Sequence, residues 1–245
     1  AEVTRDLGGR VNAESRLPGL SEWARVRDWR VHQLGKLGNM ESFRESRMTS
    51  EDVRAAGAAH VLIATGSHWR TDGRGRQSRA AIPSYSDPRT LSPDDVLGGK
   101  RPSGPVVVFD DDLYVMGAGL AELLADEGLA VTYVTTAGVV SAWARYTAEQ
   151  ERVQTRLIEK GVAIVVSHAV EALEGGAARL ACVFTGRTHT IACGGFVPVT
   201  SREPVDALWQ ALIADPDADT AAGIESLERI GDCKAPALIV HAVHD

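Results

Sequence analysis

Pro105-Val106-Val107-Val108-Phe109 is a fully apolar run, and a short turn separates it from a helical stretch at Gly117–Glu127. Gly128 ends that helix, and the next apolar run is Ala130-Val131-Thr132-Tyr133-Val134. Apolar runs of this length, bounded by turn residues, are typical of buried strands. A strand–helix–strand unit of this kind predicts two parallel strands joined by a right-handed crossover.

The same alternation continues on both sides of this unit and predicts an α/β fold. Upstream, Ser21–Leu37 has helical spacing, with Ser21 as its N-cap, and Thr49 or Ser50 is expected to cap a short helix. The stretch 67–105 is rich in Gly, Pro, Arg and Ser and is predicted to be an irregular connection between domains. The remaining predicted elements are a strand at 60–66, a helix at 148–160, a strand at 162–166 and a β-like region at 178–199.

Composition and charge exclude several classes of protein. The net charge is −7, which argues against a nucleic-acid-binding protein. The apolar runs are too short to cross a bilayer, and the chain carries no secretory signal, so we expect a cytoplasmic protein without membrane contact. Residues 1–100 hold 16 Lys and Arg against 13 Asp and Glu, and residues 101–245 hold 10 against 20. The basic first part is either a solvated face or a surface for an acidic partner.

The turn after the first apolar run is acidic rather than glycine-rich. Asp110-Asp111-Asp112 stands where a dinucleotide-binding fold has glycines, and Gly117 and Gly119 come several residues later. Three carboxylates repel a pyrophosphate unless a metal intervenes, so this unit is predicted to have a Rossmann-like shape with absent or altered nucleotide binding. A Mg²⁺ site is the alternative, and a polar cluster that serves caps and an interface is favoured over it.

Other candidate residues point to binding rather than catalysis. Ala64-Thr65-Gly66 and Ile230-Gly231-Asp232 are small-residue turns where a backbone can approach a cofactor closely, and Asp232 could accept a ribose or ribityl hydroxyl. The three cysteines show no disulfide or metal-binding spacing. Only His241 and His244 are spaced for a shared metal, and no Ser or Cys has a recognisable base partner. No catalytic residue and no metal ligand is therefore predicted.

The order of these segments resembles a known family. Leu7-Gly8-Gly9-Arg10, Leu17-Pro18-Gly19, Ala64-Thr65-Gly66 and Gly231-Asp232 occur as in the C-terminal half of the trimethylamine dehydrogenase and 2,4-dienoyl-CoA reductase flavoproteins. The chain is more similar to the trimethylamine, dimethylamine and histamine dehydrogenases. That similarity rests on the segments 108–117, 121–124, 131–135, 149–150 and 156–159.

The resemblance implies a fold, cofactors and site residues. In that family an N-terminal barrel carries FMN, a [4Fe–4S] cluster and the substrate site. The C-terminal half looks like a disulfide reductase, with one domain for ADP or FAD and an inserted domain that resembles an NAD(P)H domain. Carried onto this chain, the ADP or FAD site consists of Glu2 at the ribose, Gly8, Gly9, Arg10, Trp23, Met48, Ala64, Thr65, Gly66 and Asp232.

The same resemblance sets the expected organisation. Residues 1–100 with 200–245 are expected to form an incomplete ADP- or FAD-binding domain, and 101–199 an inserted Rossmann-like domain. The first strand and its glycine loop, the barrel, FMN and the cluster are not in this sequence, so we expect a fragment or a subunit whose partner supplies them. Such a chain would not be catalytic alone.

Three functions are compatible with these residues. The first is the nucleotide-binding part of an iron–sulfur flavoprotein that oxidatively demethylates a small methylated amine, with an electron-transfer flavoprotein as partner and a homo-oligomeric assembly. The second is a fragment of an NAD(P)H-dependent enoate reductase, against which the three aspartates argue. The third is a non-catalytic docking module for an electron-transfer partner.

Overall fold

The computed structural model describes residues 1–70, 72–83 and 86–245, which divide into two units. Unit 1 consists of residues 1–12, 22–68 and 202–245, and unit 2 of residues 13–21 and 69–201. The sequence predicts a division at 101 and 199, whereas the structure places 69–100 with the second unit. The assignment of one domain to ADP or FAD binding, and of the other to an inserted Rossmann-like domain, stays a prediction.

The elements of both units follow in chain order. The strands are β1 (His60–Ile63), β2 (Ser67–Trp69), β3 (Val106–Asp110), β4 (Val131–Thr135), β5 (Ala163–Val165), β6 (His168–Glu174), β7 (Ala177–Cys182), β8 (Thr188–Ala192), β9 (Gly195–Val199), β10 (Arg202–Pro204) and β11 (Ser226–Arg229). The helices are α1 (Val11–Glu14), α2 (Ala24–Leu34), α3 (Ser50–Ala55), α4 (Pro93–Leu97), α5 (Met116–Asp126), α6 (Gln150–Glu159), α7 (Ala207–Ile213), α8 (Pro216–Ala221) and α9 (Ile239–His244).

Unit 2 is built on a parallel sheet with the strand order β5-β4-β3-β9. The predicted parallel pair is confirmed: β3 and β4 pair in parallel, with Val106 opposite Val131. Every residue of β3 and of β9 is buried. Strands in the middle of a parallel sheet are covered on both faces, which is why β3 is apolar from Val106 to Phe109 rather than alternating.

An antiparallel sheet packs with this parallel sheet in the core of unit 2. It consists of β6, β7 and β8, paired in that order. The predicted β-like region at 178–199 is therefore confirmed, although the sheet begins earlier, at His168. One core cluster joins the two sheets, with Phe109, Val134 and Phe196 from the first and Leu173 and Leu180 from the second.

Unit 1 has a smaller core around a parallel pair. β1 pairs with β11, with Ile63 opposite Arg229. The predicted strand at 60–66 thus ends at Ile63, and residues 64–66 form a turn. Val53, Ile63, Leu212 and Cys233 make the buried cluster of this unit. β2 and β10 form a separate two-stranded sheet.

Two cap predictions have opposite outcomes. Thr49 is the N-cap of α3, where its side chain accepts from the Asp52 N–H while Asp52 accepts from the Thr49 N–H. The prediction that Ser21 caps the second helix is wrong, because residues 21–23 form a 3₁₀ turn and α2 begins after Trp23 without a side-chain cap. The reason is that Ser21 is itself part of the 3₁₀ turn that precedes α2, so it lies within the helical segment and not at its N-cap.

The stretch 67–105 is more ordered than the sequence predicts. It contains β2 and α4, and Ser92 caps α4 through a reciprocal pair with Asp95. Positions 71, 84 and 85 of this stretch lie outside the described residues. Within the described ranges, none of the helices is both long enough and apolar enough to cross a membrane.

Candidate nucleotide-binding site

Asp232 lies in a 3₁₀ turn that follows β11 in unit 1. Its Oδ2 accepts hydrogen bonds from Arg202 Nη1 at 2.5 Å and from Ser67 Oγ at 2.7 Å, and its Oδ1 accepts the Ala237 N–H at 3.1 Å. The Asp232 and Arg202 side chains are only 17% and 16% exposed. A carboxylate with three donors, one of them a guanidinium, is held in one orientation.

The turn after β1 carries three of the predicted residues. Thr65 Oγ1 donates to the Val205 carbonyl oxygen at 2.5 Å and lies 3.1 Å from Cys233 Sγ. Gly66 has φ +80°, and a Cβ built on it would meet nothing within 4 Å. This position therefore combines a backbone conformation that favours glycine with open space beside it, which is what close approach of a ligand requires.

The turn at Gly8-Gly9-Arg10 comes just before α1. Gly8 has φ +122°, and a Cβ there would lie 2.7 Å from Arg27 Cδ and from Asn12 Oδ1, so the turn needs glycine at this position. Gly9 has φ +52° with no atom within 4 Å of a built Cβ. Arg10 reaches from this turn to the Ser67 carbonyl oxygen, at 3.5 Å from Nη1.

Glu2 lies in a segment that is joined to residues 43–46 by backbone hydrogen bonds. Its N–H donates to the Phe43 carbonyl oxygen, and its own carbonyl oxygen accepts the Ser46 N–H. Glu2 Oε1 accepts both the N–H and the hydroxyl of Thr4, at 2.9 and 2.8 Å. Both bonds go to one carboxylate oxygen, so Oε2 keeps its capacity to accept a hydroxyl.

The remaining predicted residues have different surroundings. Met48 packs against the buried cluster of unit 1, which includes Val53 and Cys233, so its side chain has a core role. Trp23 lies in the 3₁₀ turn before α2 and is half-buried. Ala64 is exposed at the end of β1. His241 and His244 are both on α9 and exposed.

One set of contacts connects three of the predicted segments. Arg10 bonds to Ser67, which follows Gly66, and Ser67 bonds to Asp232. Ser67 and Arg202 are site residues that the sequence did not indicate. Ser67 directly follows a predicted turn and could have been included on that ground, whereas Arg202 is 30 residues from Asp232 and has no spacing signal.

The side chains of Asp110, Asp111 and Asp112 all make hydrogen bonds or ion pairs with other residues of unit 2. Asp110 Oδ1 accepts the Leu113 N–H at 2.9 Å, and Oδ2 accepts the hydroxyl of Tyr133. Burial, together with the nearby charge of Asp112, raises the pKa of the Asp110 carboxyl to about 7. Asp112 pairs with Arg76 at 3.2 Å.

These contacts are relevant to the two ligands considered for this turn, a pyrophosphate and Mg²⁺. A Cβ on Gly117 would lie 2.7 Å from Asp110 Cβ and Cγ, so the Asp110 side chain fills the space against the first turn of α5. In the described part of the chain, no group of three or more His, Cys, Asp or Glu side chains is arranged to hold a metal ion. The arrangement accords with a structural polar cluster.

Comparison with known proteins identifies relatives of the whole chain. Residues 91–206 match the family model of the OYE-like second alpha/beta domain. The chain is 32% identical to dimethylamine dehydrogenase from Hyphomicrobium sp. (strain x), in an alignment that covers 100% of this chain and 36% of that protein. It therefore spans about a third of the length of this relative.

Solved structures agree with this result. Histamine dehydrogenase from Rhizobium sp. 4-9 superposes with a TM-score of 0.95 and 42% identity, over 99% of this chain and 38% of that one. Thioredoxin reductase from T. acidophilum superposes with a TM-score of 0.57 at 14% identity, over 97% of this chain and 83% of that one, which shows a shared α/β fold alone. The chain is therefore homologous, along its whole length, to a part of the dimethylamine and histamine dehydrogenases.

Proposed function

We propose that this chain is the nucleotide-binding part of a flavoprotein oxidoreductase that acts on a small methylated amine. The observation that carries the proposal is the series of contacts from Arg10 through Ser67 to Asp232, which connects three segments expected to surround an adenine nucleotide. The homology to two amine dehydrogenases supports the reaction class. Catalysis is assigned to parts of the relatives that this chain does not span, and FMN, a [4Fe–4S] cluster and a barrel domain are proposed there.

The site residues fit an adenosine diphosphate group. Gly9 and Gly66 leave open space beside backbone in positive φ, which permits a phosphate to approach. Glu2 Oε2 would accept a ribose hydroxyl, and Arg10, which reaches the Ser67 carbonyl oxygen, would supply positive charge. Bound ADP would supply no redox chemistry, whereas FAD would supply a second flavin.

The hydrogen bonds of Asp232 are compatible with both ADP and FAD. Its carboxylate already accepts from Arg202, Ser67 and the Ala237 N–H. Its Oδ1 accepts only the Ala237 N–H, so that oxygen keeps the capacity to accept a ribityl hydroxyl of FAD while Arg202 stays in place. ADP ends before the ribityl chain and would leave this acceptor unused.

The test is to denature the purified native assembly that contains this chain and to identify the released nucleotides by chromatography and mass. ADP or FAD together with FMN is the expected result. Release of no adenine nucleotide would overturn the proposal. Glu2→Ala in the same assembly is expected to lower the amount of ADP or FAD retained, and Glu22→Ala, an exposed acidic residue paired with Arg25, is the control.

One observation favours the docking of an electron-transfer partner, such as an electron-transfer flavoprotein, as an additional role. No side chain of α2 is buried, and Trp29 on this helix is 61% exposed with the Arg30 guanidinium 5.7 Å from its ring. An exposed aromatic beside a cation suits an acidic protein surface. Trp29→Ala should slow electron delivery to the partner without changing reduction of the assembly by amine.

A further inference from the structure

The loop at residues 72–78 of unit 2 surrounds the side chain of Asp111. Asp111 Oδ2 accepts the N–H of Gln77 at 3.1 Å and the N–H of Ser78 at 2.9 Å. Asp111 Oδ1 accepts the hydroxyl of Thr136 at 2.7 Å. The Asp111 side chain is fully buried, so both oxygens depend on these donors.

A glycine allows the loop to come this close. A Cβ built on Gly75 would lie 2.0 Å from Asp111 Oδ2 and 2.6 Å from its Cγ, which no side chain could occupy. The loop closes on itself through a hydrogen bond from the Gly75 N–H to the Ser78 carbonyl oxygen at 2.9 Å. Consecutive backbone N–H groups aimed at one anion, with a glycine at the point of closest approach, are the donor set of phosphate-binding loops.

The loop also carries positive charge beside the anion. Arg76 donates from Nε to the Asp112 carbonyl oxygen at 2.8 Å and from Nη2 to Asp112 Oδ1 at 3.2 Å. Its guanidinium lies 4.6 Å from the ring centroid of Trp143, which follows β4. These contacts keep Arg76 over the end of β3.

The loop lies at the carboxyl ends of the parallel strands, which is the edge where open parallel sheets bind ligands. Asp111 directly follows β3, and the N–H groups of Asp111 and Asp112 donate to the carbonyl oxygen of Val199 at the end of β9. The carboxyl ends of parallel strands form the crevice in which α/β folds hold nucleotides and other phosphorylated ligands.

We propose that residues 72–78 form an anion-binding loop whose resident anion is the Asp111 carboxylate, in the place that a ligand phosphate would take, and that unit 2 is thereby closed to phosphate-bearing ligands. The aspartate does more than repel a pyrophosphate: it satisfies the donors that would otherwise bind one. This inference concerns unit 2 and is independent of the nucleotide proposed for unit 1.

Anion rescue of Asp111→Ala in the full chain tests the proposal. Removal of the carboxylate leaves the Gln77 and Ser78 N–H groups without an anion, so Tm should fall by several degrees. Inorganic phosphate or formate should then raise Tm saturably, while chloride at equal ionic strength should not. Asp112→Ala is the matched control, since it removes a neighbouring carboxylate that pairs with Arg76 rather than with the loop N–H groups. Equal responses to chloride and phosphate, or no response of Asp111→Ala to either oxyanion, would overturn the proposal.

A second measurement decides the matter if Asp111→Ala does not fold. Asp111→Asn keeps the shape of the side chain and an acceptor oxygen but loses the charge. Amide exchange at Gln77 and Ser78 should be about tenfold faster in this variant than in the parent chain, because a charge-assisted hydrogen bond becomes a neutral one. Unprotected amides in the parent chain, or equal exchange in the two proteins, would show that the carboxylate is not held as an anion by this loop.

Discussion

The hydroxyl of Tyr133 donates to the carboxylate of Asp110, and neither side chain is exposed to solvent. Tyr133 OH accepts in turn from the Ser141 N–H at 3.2 Å. This pair joins the end of β3 and the middle of β4 to two turns in which Leu113 and Ser141 have positive φ. Non-glycine residues in this region cost energy and persist only where the surroundings hold them.

The raised pKa of Asp110 predicts that stability falls as pH rises. The carboxyl has a pKa of about 7 in the folded protein against an ordinary value of 3.8. Between these values the folded state binds more protons than the unfolded state, so the free energy of unfolding decreases by about 1.4 kcal/mol per pH unit from this group and levels off above pH 7. The contribution is fully favourable below pH 4.

Asp110→Asn isolates this effect. The amide keeps an acceptor for the Leu113 N–H and can donate to Tyr133, but it does not titrate. Urea unfolding at pH 5, 6, 7 and 8 should show that the variant loses about 2 to 3 kcal/mol less than the parent chain between pH 5 and pH 8. Parallel profiles for the two proteins would refute the assignment.

The ion pair between Arg202 and Asp232 should contribute strongly to the stability of unit 1. Because both side chains are mostly buried, Arg202→Met leaves Asp232 with fewer donors and should cost about 3 kcal/mol in unfolding free energy. The double variant Arg202→Met with Asp232→Asn removes the unpaired charge and should recover much of that loss. Urea unfolding of the parent chain, of Arg202→Met and Asp232→Asn alone, and of the double variant measures the coupling. Additive losses would mean that the pair is not energetically linked.

Neighbouring glycines provide a matched test of the turn at residues 8–10. Gly8→Ala meets Arg27 and Asn12 at 2.7 Å and also has an unfavourable φ, so it should cost about 2 to 4 kcal/mol. Gly9→Ala has positive φ without a clash and should cost about 1 kcal/mol. Thermal or urea unfolding compares the two variants. Equal costs would mean that the packing around Gly8 differs from that described.

Removal of the α3 cap should have a small and local effect. Thr49→Ala eliminates the side-chain acceptor for the Asp52 N–H and should cost about 1 kcal/mol. Ser50→Ala, at the first helical position, is the control and should be close to neutral. A loss in the control as large as that in Thr49→Ala would argue against a specific cap.

The sequence predicts the parallel core of unit 2 well, because a strand buried on both faces must be apolar throughout, as residues 106–109 are. Small residues also indicate two segments of the proposed nucleotide site, 64–66 and 230–232, whereas residues 8–10 are indicated by the family resemblance. The contacts of Arg202 and of the loop at 72–78 could not be predicted. Each depends on two segments 30 or more residues apart, with no periodicity to indicate that they meet.

The parallel pair of β1 and β11 has a consequence for how the chain folds during synthesis. Ser226–Arg229 are made long after His60–Ile63, so the core of unit 1 cannot form until Ser226–Arg229 have left the ribosome. Residues 69–201 of unit 2 are continuous and emerge earlier. Unit 2 should therefore acquire its structure first, before β11 is available to pair with β1.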